Sequence, residues 1–151
     1  MVGLIGESIK YSDGYAGQLR EDAVFQLPRS LWPPEVVENE FIRIDATGIM
    51  RIRASYAWDY ASVPGHIFWH FSNWFQGNKS RTPSLAHDAL CQLERAGLLN
   101  AVPDARKHAD EFFLFLLNER HFFKWRARAW FDAVRIGAKA KGSNKPILEA
   151  P

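Results

Sequence analysis

An alternation of apolar and polar residues between Ile49 and Trp58 constrains the fold of this chain more than any other feature. Every second residue is apolar, at Met50, Ile52, Ala54, Tyr56 and Trp58. Arginine, serine and alanine stand between them. A period of two places one face of a β-strand on a core and the other face in water. The sequence therefore predicts a half-buried strand over these ten residues.

A second run of residues, Phe41 to Asp45, precedes this strand, and Ala46-Thr47-Gly48 connects the two. Glycine adopts positive φ angles without steric cost, as tight turns require. We therefore predict an antiparallel β-hairpin over residues 41–58, with Gly48 in its turn. Ala23 to Leu27 is a further short apolar run, ended by Pro28, and predicts another strand.

The second half of the chain has helical punctuation. A first helix is predicted near residues 83–96, with Thr82 as its N-cap, Pro83 at the first helical position and Gly97 beyond its end. A second is predicted near residues 104–119, starting at Asp104.

A third helix is predicted near residues 122–137, where apolar residues recur at helical spacing before Gly137. The fold class expected is α+β, with a small antiparallel sheet (the hairpin 41–58) packed against three C-terminal helices. Since 151 residues fit one domain and no linker interrupts them, residues 1–141 are expected to form a single domain and residues 142–151 a polar tail.

Cys91 is the single cysteine of the chain, so no intrachain disulfide can form. Its place in an apolar helical pattern predicts a small buried hydrophobic residue. The first residues have neither a basic leader nor a long apolar run, and no stretch of about 18 apolar residues occurs. We therefore expect no secretory signal peptide, no membrane span, and synthesis and folding in a cytoplasm.

Charge is unevenly distributed along the sequence, although the net charge is only +2. Acidic residues prevail in residues 1–50 and basic residues in 122–151. The basic residues are scattered around the predicted third helix and do not form one stripe, so we expect an ordinary solvated surface and no nucleic-acid partner.

A polar turn follows the long predicted strand. Asp59 leaves the strand, Ser62 comes three residues later and Pro64 stiffens the backbone. A carboxylate can bind a cation or act as a base, and a hydroxyl can serve as a nucleophile beside a base. Alternatively, both side chains are turn formers that bind backbone N–H groups.

A second group of reactive residues lies on the predicted helices. His87 and Asp88 are adjacent on the first helix and point about 100° apart. On the second helix, Arg106 precedes Asp110 by four residues and can hold its carboxylate. His108 is a further candidate there.

Imidazole and carboxylate suit zinc, manganese or iron, so His87, Asp88 and Asp110 form a candidate metal site. The spacing of these residues along the chain does not match a motif that is specific to one metal. A hydrogen-bonded cluster that locks the helices together explains the same residues, and catalysis without a metal is a third interpretation.

Four motifs follow one another in the order of a known family: Asp59-x-Ala61-Ser62-Val63-Pro64, Ala86-His87-Asp88, Arg106-x-x-Ala109-Asp110 and Phe131-x-Ala133-Val134-Arg135-x-Gly137. Over about residues 20–138 the chain resembles the family called domain of unknown function 1353, which is met in tailed bacteriophages and prophages. The resemblance implies a phage or prophage origin, and with it a location in a virion or in the host bacterial cytoplasm. It also implies a shared site but no known reaction for it. The residues of this site are Asp59, Ser62, His87, Asp88, Arg106 and Asp110.

Two hypotheses about function follow. The first is a virion- or tail-associated protein with a hydrolytic or metal-binding centre, acting on a host polymer such as the cell wall. The second is a structural virion or tail-assembly protein, in which the polar cluster only stabilises the fold and the aromatic stretch 67–75 contacts other phage structural proteins. A variant of the first is a nucleotide phosphohydrolase that uses His70, His87-Asp88 and either Asp110 or Asp132.

Overall fold

A computed structural model describes residues 1–12, 17–58 and 81–119, together with Arg128 and Asp132. In this part of the chain, strands come first and α-helices follow, which confirms the predicted α+β class. The strands are β1 (Gly3–Leu4), β2 (Tyr11–Ser12), β3 (Gly17–Leu19), β4 (Ala23–Gln26), β5 (Val37–Glu38), β6 (Ile42–Ile44), β7 (Ile49–Ile52) and β8 (Ala57–Trp58). The helices are α1 (Arg81–Arg95) and α2 (Ala105–Glu119), and a 3₁₀ turn spans Arg29–Leu31.

The predicted hairpin is present as β6 and β7, which pair antiparallel with Ile44 opposite Met50. Gly48 lies in the connecting turn with φ +77°, as predicted. The carboxylate of Asp45 closes the turn, because Oδ1 accepts hydrogen bonds from the backbone N–H groups of Thr47 (2.9 Å) and Ile49 (3.0 Å). These strands lie within a five-stranded antiparallel sheet of order β1-β4-β7-β6-β5, and β4 confirms the short strand predicted after residue 22.

The prediction of one continuous strand from Ile49 to Trp58 is wrong. The strand breaks after Ile52, Ser55 has φ +73°, and Trp58 belongs to a second, three-stranded sheet of order β2-β3-β8. The break is stabilised by long-range contacts, since Ser55 N–H donates to Leu19 O at 2.8 Å. The alternation correctly indicated which side chains are buried, because the strands on both sides of the break face the same core.

Helix α1 starts earlier than predicted. It already includes Arg81 and Thr82, so Thr82 is a buried helical residue and not an N-cap. Proline is tolerated in a first helical turn, where its missing N–H needs no partner, so Pro83 need not occupy the first position. The predicted end is confirmed: Gly97 has φ +74°, and the N–H groups of Gly97 and Leu98 donate backward to Glu94 O and Leu93 O, each at 3.0 Å, as in a Schellman motif.

Helix α2 begins one residue after the predicted Asp104, which has φ +51°. The third predicted helix, 122–137, lies outside the described residues except for Arg128 and Asp132. Both are helical, and Arg128 Nε lies 3.6 Å from Asp132 Oδ1. The predicted tail, 142–151, and the domain boundary before it lie outside the described residues.

The core lies between the five-stranded sheet and the two helices. Its fully buried side chains include, from the sheet, Phe25, Ile42, Ile44, Met50 and Ile52 and, from the helices, Leu85, Leu90, Leu93, Phe112 and Leu116. Burying one such side chain contributes about 1.5–3 kcal/mol. This packing fixes α1 and α2 side by side, so polar groups on their facing sides are held at defined distances.

In the ranges that the structure describes, neither helix has the length and apolarity needed to cross a membrane.

Candidate functional site

A histidine and an aspartate join the two helices at the centre of the candidate site. His87 on α1 and Asp110 on α2 approach to 2.8 Å between Nε2 and Oδ1. Their side chains are 13% and 3% exposed. A carboxylate only accepts hydrogen bonds, so Nε2–H donates to it. This contact leaves Nδ1 as the nitrogen that can exchange a proton.

Two neighbours pack against the imidazole of His87. The ring of Phe113 lies 5.0 Å from it between centroids. The sulfur of Cys91 lies 3.8 Å from Nδ1 and 3.6 Å from Nε2. Both distances are within the range of a weak hydrogen bond to sulfur. Cys91 is buried, as predicted, and packs against the ring.

Arg106 lies one helical turn before Asp110, as its spacing predicted. Its Nε is 3.4 Å from Asp110 Oδ1, and the side chain is 33% exposed. This nitrogen is buried and has no hydrogen-bond acceptor among the described residues. The ion pair is therefore present, but the guanidinium does not hold the carboxylate through a hydrogen bond.

Asp88 faces a different neighbour from His87, because consecutive helical residues point about 100° apart. Its Oδ2 accepts a hydrogen bond from the hydroxyl of Tyr56 at 3.1 Å. Burial and the adjacent carboxylate raise the pKa of the Tyr56 phenol far above its usual value, so Tyr56 stays neutral and donates. Asp88 and Asp110 each have at least one further interaction besides these contacts.

A second side-chain hydrogen bond joins β8 to the start of α1. The indole N–H of Trp58 donates to Ser84 Oγ at 3.2 Å, and Ser84 donates to Arg81 O at 2.8 Å. Tyr56 and Trp58 were predicted only as core residues. Their polar tips were the available signal, because a buried phenol or indole needs a hydrogen-bond partner.

The structure does not test the whole predicted site. Asp59 and Ser62 lie outside the described residues, as do His70 and the aromatic stretch 67–75. His108 contacts Glu111 at 2.9 Å on an exposed part of α2. In the described ranges, no three histidine, cysteine, aspartate or glutamate side chains are grouped to hold a metal ion. A zinc, manganese or iron site at His87, Asp88 and Asp110 stays a prediction.

The charge state of His87 follows from its neighbours. Burial disfavours the charged imidazolium, but the Cys91 sulfur and the hydrogen-bonded Asp110 carboxylate favour it more strongly. Together they raise the pKa of His87 from 6.5 to about 9. At neutral pH the imidazole is therefore protonated and forms a buried ion pair with Asp110.

Protein stability is expected to fall as the pH rises from about 6.5 to about 9, the interval between the ordinary and the raised pKa of His87. A raised pKa in the folded state stabilises the fold fully below pH 6.5 and no longer does so above pH 9. Urea unfolding across this interval should show a loss of a few kcal/mol.

His87→Gln should flatten this pH dependence. Among the described residues, the charged and titratable groups beside the imidazole and its carboxylate partner are Asp110 and Arg106 from α2 and Cys91 from α1. Because Cys91 Sγ lies 3.6 Å from the imidazole, the series is repeated with Cys91→Ala, in which a smaller fall should persist. A stability that is constant or rises between pH 6.5 and pH 9 contradicts the charged pair.

Comparison with known proteins gives one match. A family model described as Protein of unknown function (DUF1353) matches residues 35–134. No curated protein and no solved structure matches the chain. The matched range contains His87, Asp88, Arg106 and Asp110.

Proposed function

Because this chain belongs to the DUF1353 family, whose description gives no activity, we propose a function from its own geometry: the protein is a hydrolase in which His87 transfers the proton. The observation that carries the proposal is the 2.8 Å contact between a partly exposed imidazole and the buried carboxylate of Asp110. In such a pair the carboxylate fixes the orientation of the ring and leaves the opposite nitrogen for acid–base chemistry.

The free-energy cost of burying these charged groups supports a functional role. A buried carboxylate and the cations beside it lose hydration, and apolar side chains of similar volume often stabilise a core equally well. Strongly shifted pKa values are also concentrated at functional sites. His87 combines a raised pKa, an orientation fixed by Asp110 and a side chain that is 13% exposed.

We assign His87 the role of general acid. With its pKa raised to about 9, the imidazolium carries a proton at neutral pH and can give it from Nδ1 to a leaving group. Asp110 orients the ring and stabilises its charge. Asp88 accepts a hydrogen bond from Tyr56 on a different face of α1. Asp59 is the predicted assisting carboxylate. Activity should decrease as the pH rises through about 9, because His87 then loses this proton.

The proposed setting is a phage or prophage, in which the protein is a virion- or tail-associated component that acts on a host polymer such as the cell wall. The four motifs shared with the family support this setting. They also support phage structural proteins as partners.

Removing the imidazole is expected to abolish most of the hydrolysis. Purified protein is incubated with dye-labelled peptidoglycan, and soluble dye is measured over time. His87→Gln should lower the rate at least ~100-fold, the lower end of the contribution of general acid–base catalysis.

His108→Gln is the matched control, because His108 is also a helical histidine paired with a carboxylate but lies outside the cluster. It should keep the wild-type rate. Circular dichroism and urea unfolding establish that each variant is folded. Equal rates for wild type and a folded His87→Gln would contradict the assignment of His87.

A structural role is the alternative, and one observation favours it. The cluster joins separate elements, since His87 links α1 to α2, and Asp88 and Ser84 link α1 to Tyr56 and Trp58. This alternative predicts that His87→Gln lowers stability while wild-type protein releases no dye. It also predicts that the protein co-sediments with assembled phage tails.

A further inference from the structure

The guanidinium of Arg106 has hydrogen-bonding capacity that the described residues do not use. About two-thirds of the side chain is buried, since 33% is exposed. Within the described ranges, its polar contact is the 3.4 Å approach of Nε to Asp110 Oδ1, and that nitrogen is buried without an acceptor. An arginine carries five N–H donors, and a buried donor without a partner is unfavourable.

His87 makes the shorter contact with the oxygen of Asp110 that Arg106 also faces. His87 Nε2 lies 2.8 Å from Asp110 Oδ1, whereas Arg106 Nε lies 3.4 Å from that atom. One carboxylate therefore faces two basic side chains.

The other cations at the start of α2 are engaged differently. Lys107 Nζ lies 3.9 Å from Glu111 Oε1, and His108 Nδ1 lies 2.9 Å from Glu111 Oε2. Both face Glu111, on the more exposed side of the helix. Arg106 instead lies beside the His87–Asp110 pair, with part of its guanidinium at the surface.

We propose that Arg106 and His87 form a binding site for an oxyanion, a phosphate or carboxylate group carried by the substrate. The planar guanidinium can donate two parallel hydrogen bonds to such a group, which a lysine cannot do. An anion there would also lie beside the two basic side chains that share Asp110. This inference deepens the proposed function and rests on the same site, because it assigns the hydrolase an anionic substrate.

Anion binding is measured without turnover, so its outcome is independent of the hydrolysis assay. Sodium phosphate and sodium acetate are titrated separately into the full-length protein at constant ionic strength, and the Nε–H resonance of Arg106 is followed by NMR. We expect saturable shifts with a Kd on the order of 1 mM for at least one anion. Tighter binding of phosphate indicates a phosphate group in the substrate, and tighter binding of acetate indicates a carboxylate.

Three variants separate this site from general surface charge, with binding to each followed by calorimetry. Arg106→Gln should weaken binding at least ~10-fold. Arg106→Lys keeps the charge but loses the planar fork, and should also bind more weakly. Lys107→Gln removes the same charge from the neighbouring residue and should bind like wild type. Absence of saturable binding, or an equal loss in Arg106→Gln and Lys107→Gln, overturns the inference.

Discussion

Asp110→Asn is expected to lower the free energy of unfolding by about 3 kcal/mol at pH 6, where His87 is charged. The substitution keeps the shape of the side chain and removes its charge. His87 and Arg106 are then left beside a neutral amide, although Asp110 is only 3% exposed and water cannot replace the carboxylate. The expected loss lies at the lower end for a broken buried pair, because the imidazole can release its proton. Urea unfolding measures the difference.

Glu111→Gln is the matched control for this experiment. Glu111 is adjacent in sequence and also faces two basic residues, but its side chain is 49% exposed. Exposed ion pairs contribute about 0–1 kcal/mol, so the control should change stability by no more than that. Equal losses in the two variants would mean that the buried pair contributes no more than a surface pair.

Gly48→Ala is expected to lower the free energy of unfolding by about 3–4 kcal/mol. Gly48 has φ +77°, and a Cβ atom there would lie 2.0 Å from Trp32 Nε1 and 2.2 Å from its Cδ1. The indole cannot stay in place. It would lose its hydrogen bond to Leu27 O, now 2.9 Å, and its stacking with the Arg29 guanidinium, now 5.6 Å from the ring centroid. Urea unfolding again measures the loss.

Gly97→Ala separates the clash from the backbone strain. Gly97 has nearly the same φ, +74°, but its added Cβ would meet only the flexible Asn100 side chain, at 3.3 Å. A loss of about 1 kcal/mol is expected from the left-handed backbone. In a Trp32→Ala background, the cost of Gly48→Ala should fall to that of Gly97→Ala. If it does not, the indole is not the obstacle.

The sequence predicted those parts of the fold that depend on local backbone chemistry. Gly48 lies in the hairpin turn and Gly97 directly follows α1, and both have the positive φ angles that such positions favour. The i, i+4 spacing of Arg106 and Asp110 correctly indicated an ion pair, because helix geometry alone brings these residues together. Thr82 is not the N-cap because the helix already includes Arg81, so Thr82 lies inside its first described turn.

The candidate site was predicted less completely because its contacts join distant segments. The motifs indicated His87 and Asp110 but not which carboxylate the imidazole contacts. Tyr56 was predicted as a core residue, and its hydrogen bond to Asp88 depends on how the segment just before β8 approaches α1. The positions of Asp59 and Ser62 stay predictions.

The sequence by itself determined that strands precede helices, the turn at Gly48, the end of α1 at Gly97 and the apolar face between Met50 and Trp58. These features follow from local steric preferences and from side-chain periodicity. Only the tertiary structure decided that this face is divided between two sheets and that His87 contacts Asp110 while Asp88 contacts Tyr56. It also decided that Arg106 has a buried donor without an acceptor among the described residues. Those outcomes depend on how the helices pack against each other and against the sheets, and a sequence pattern does not specify distances between elements.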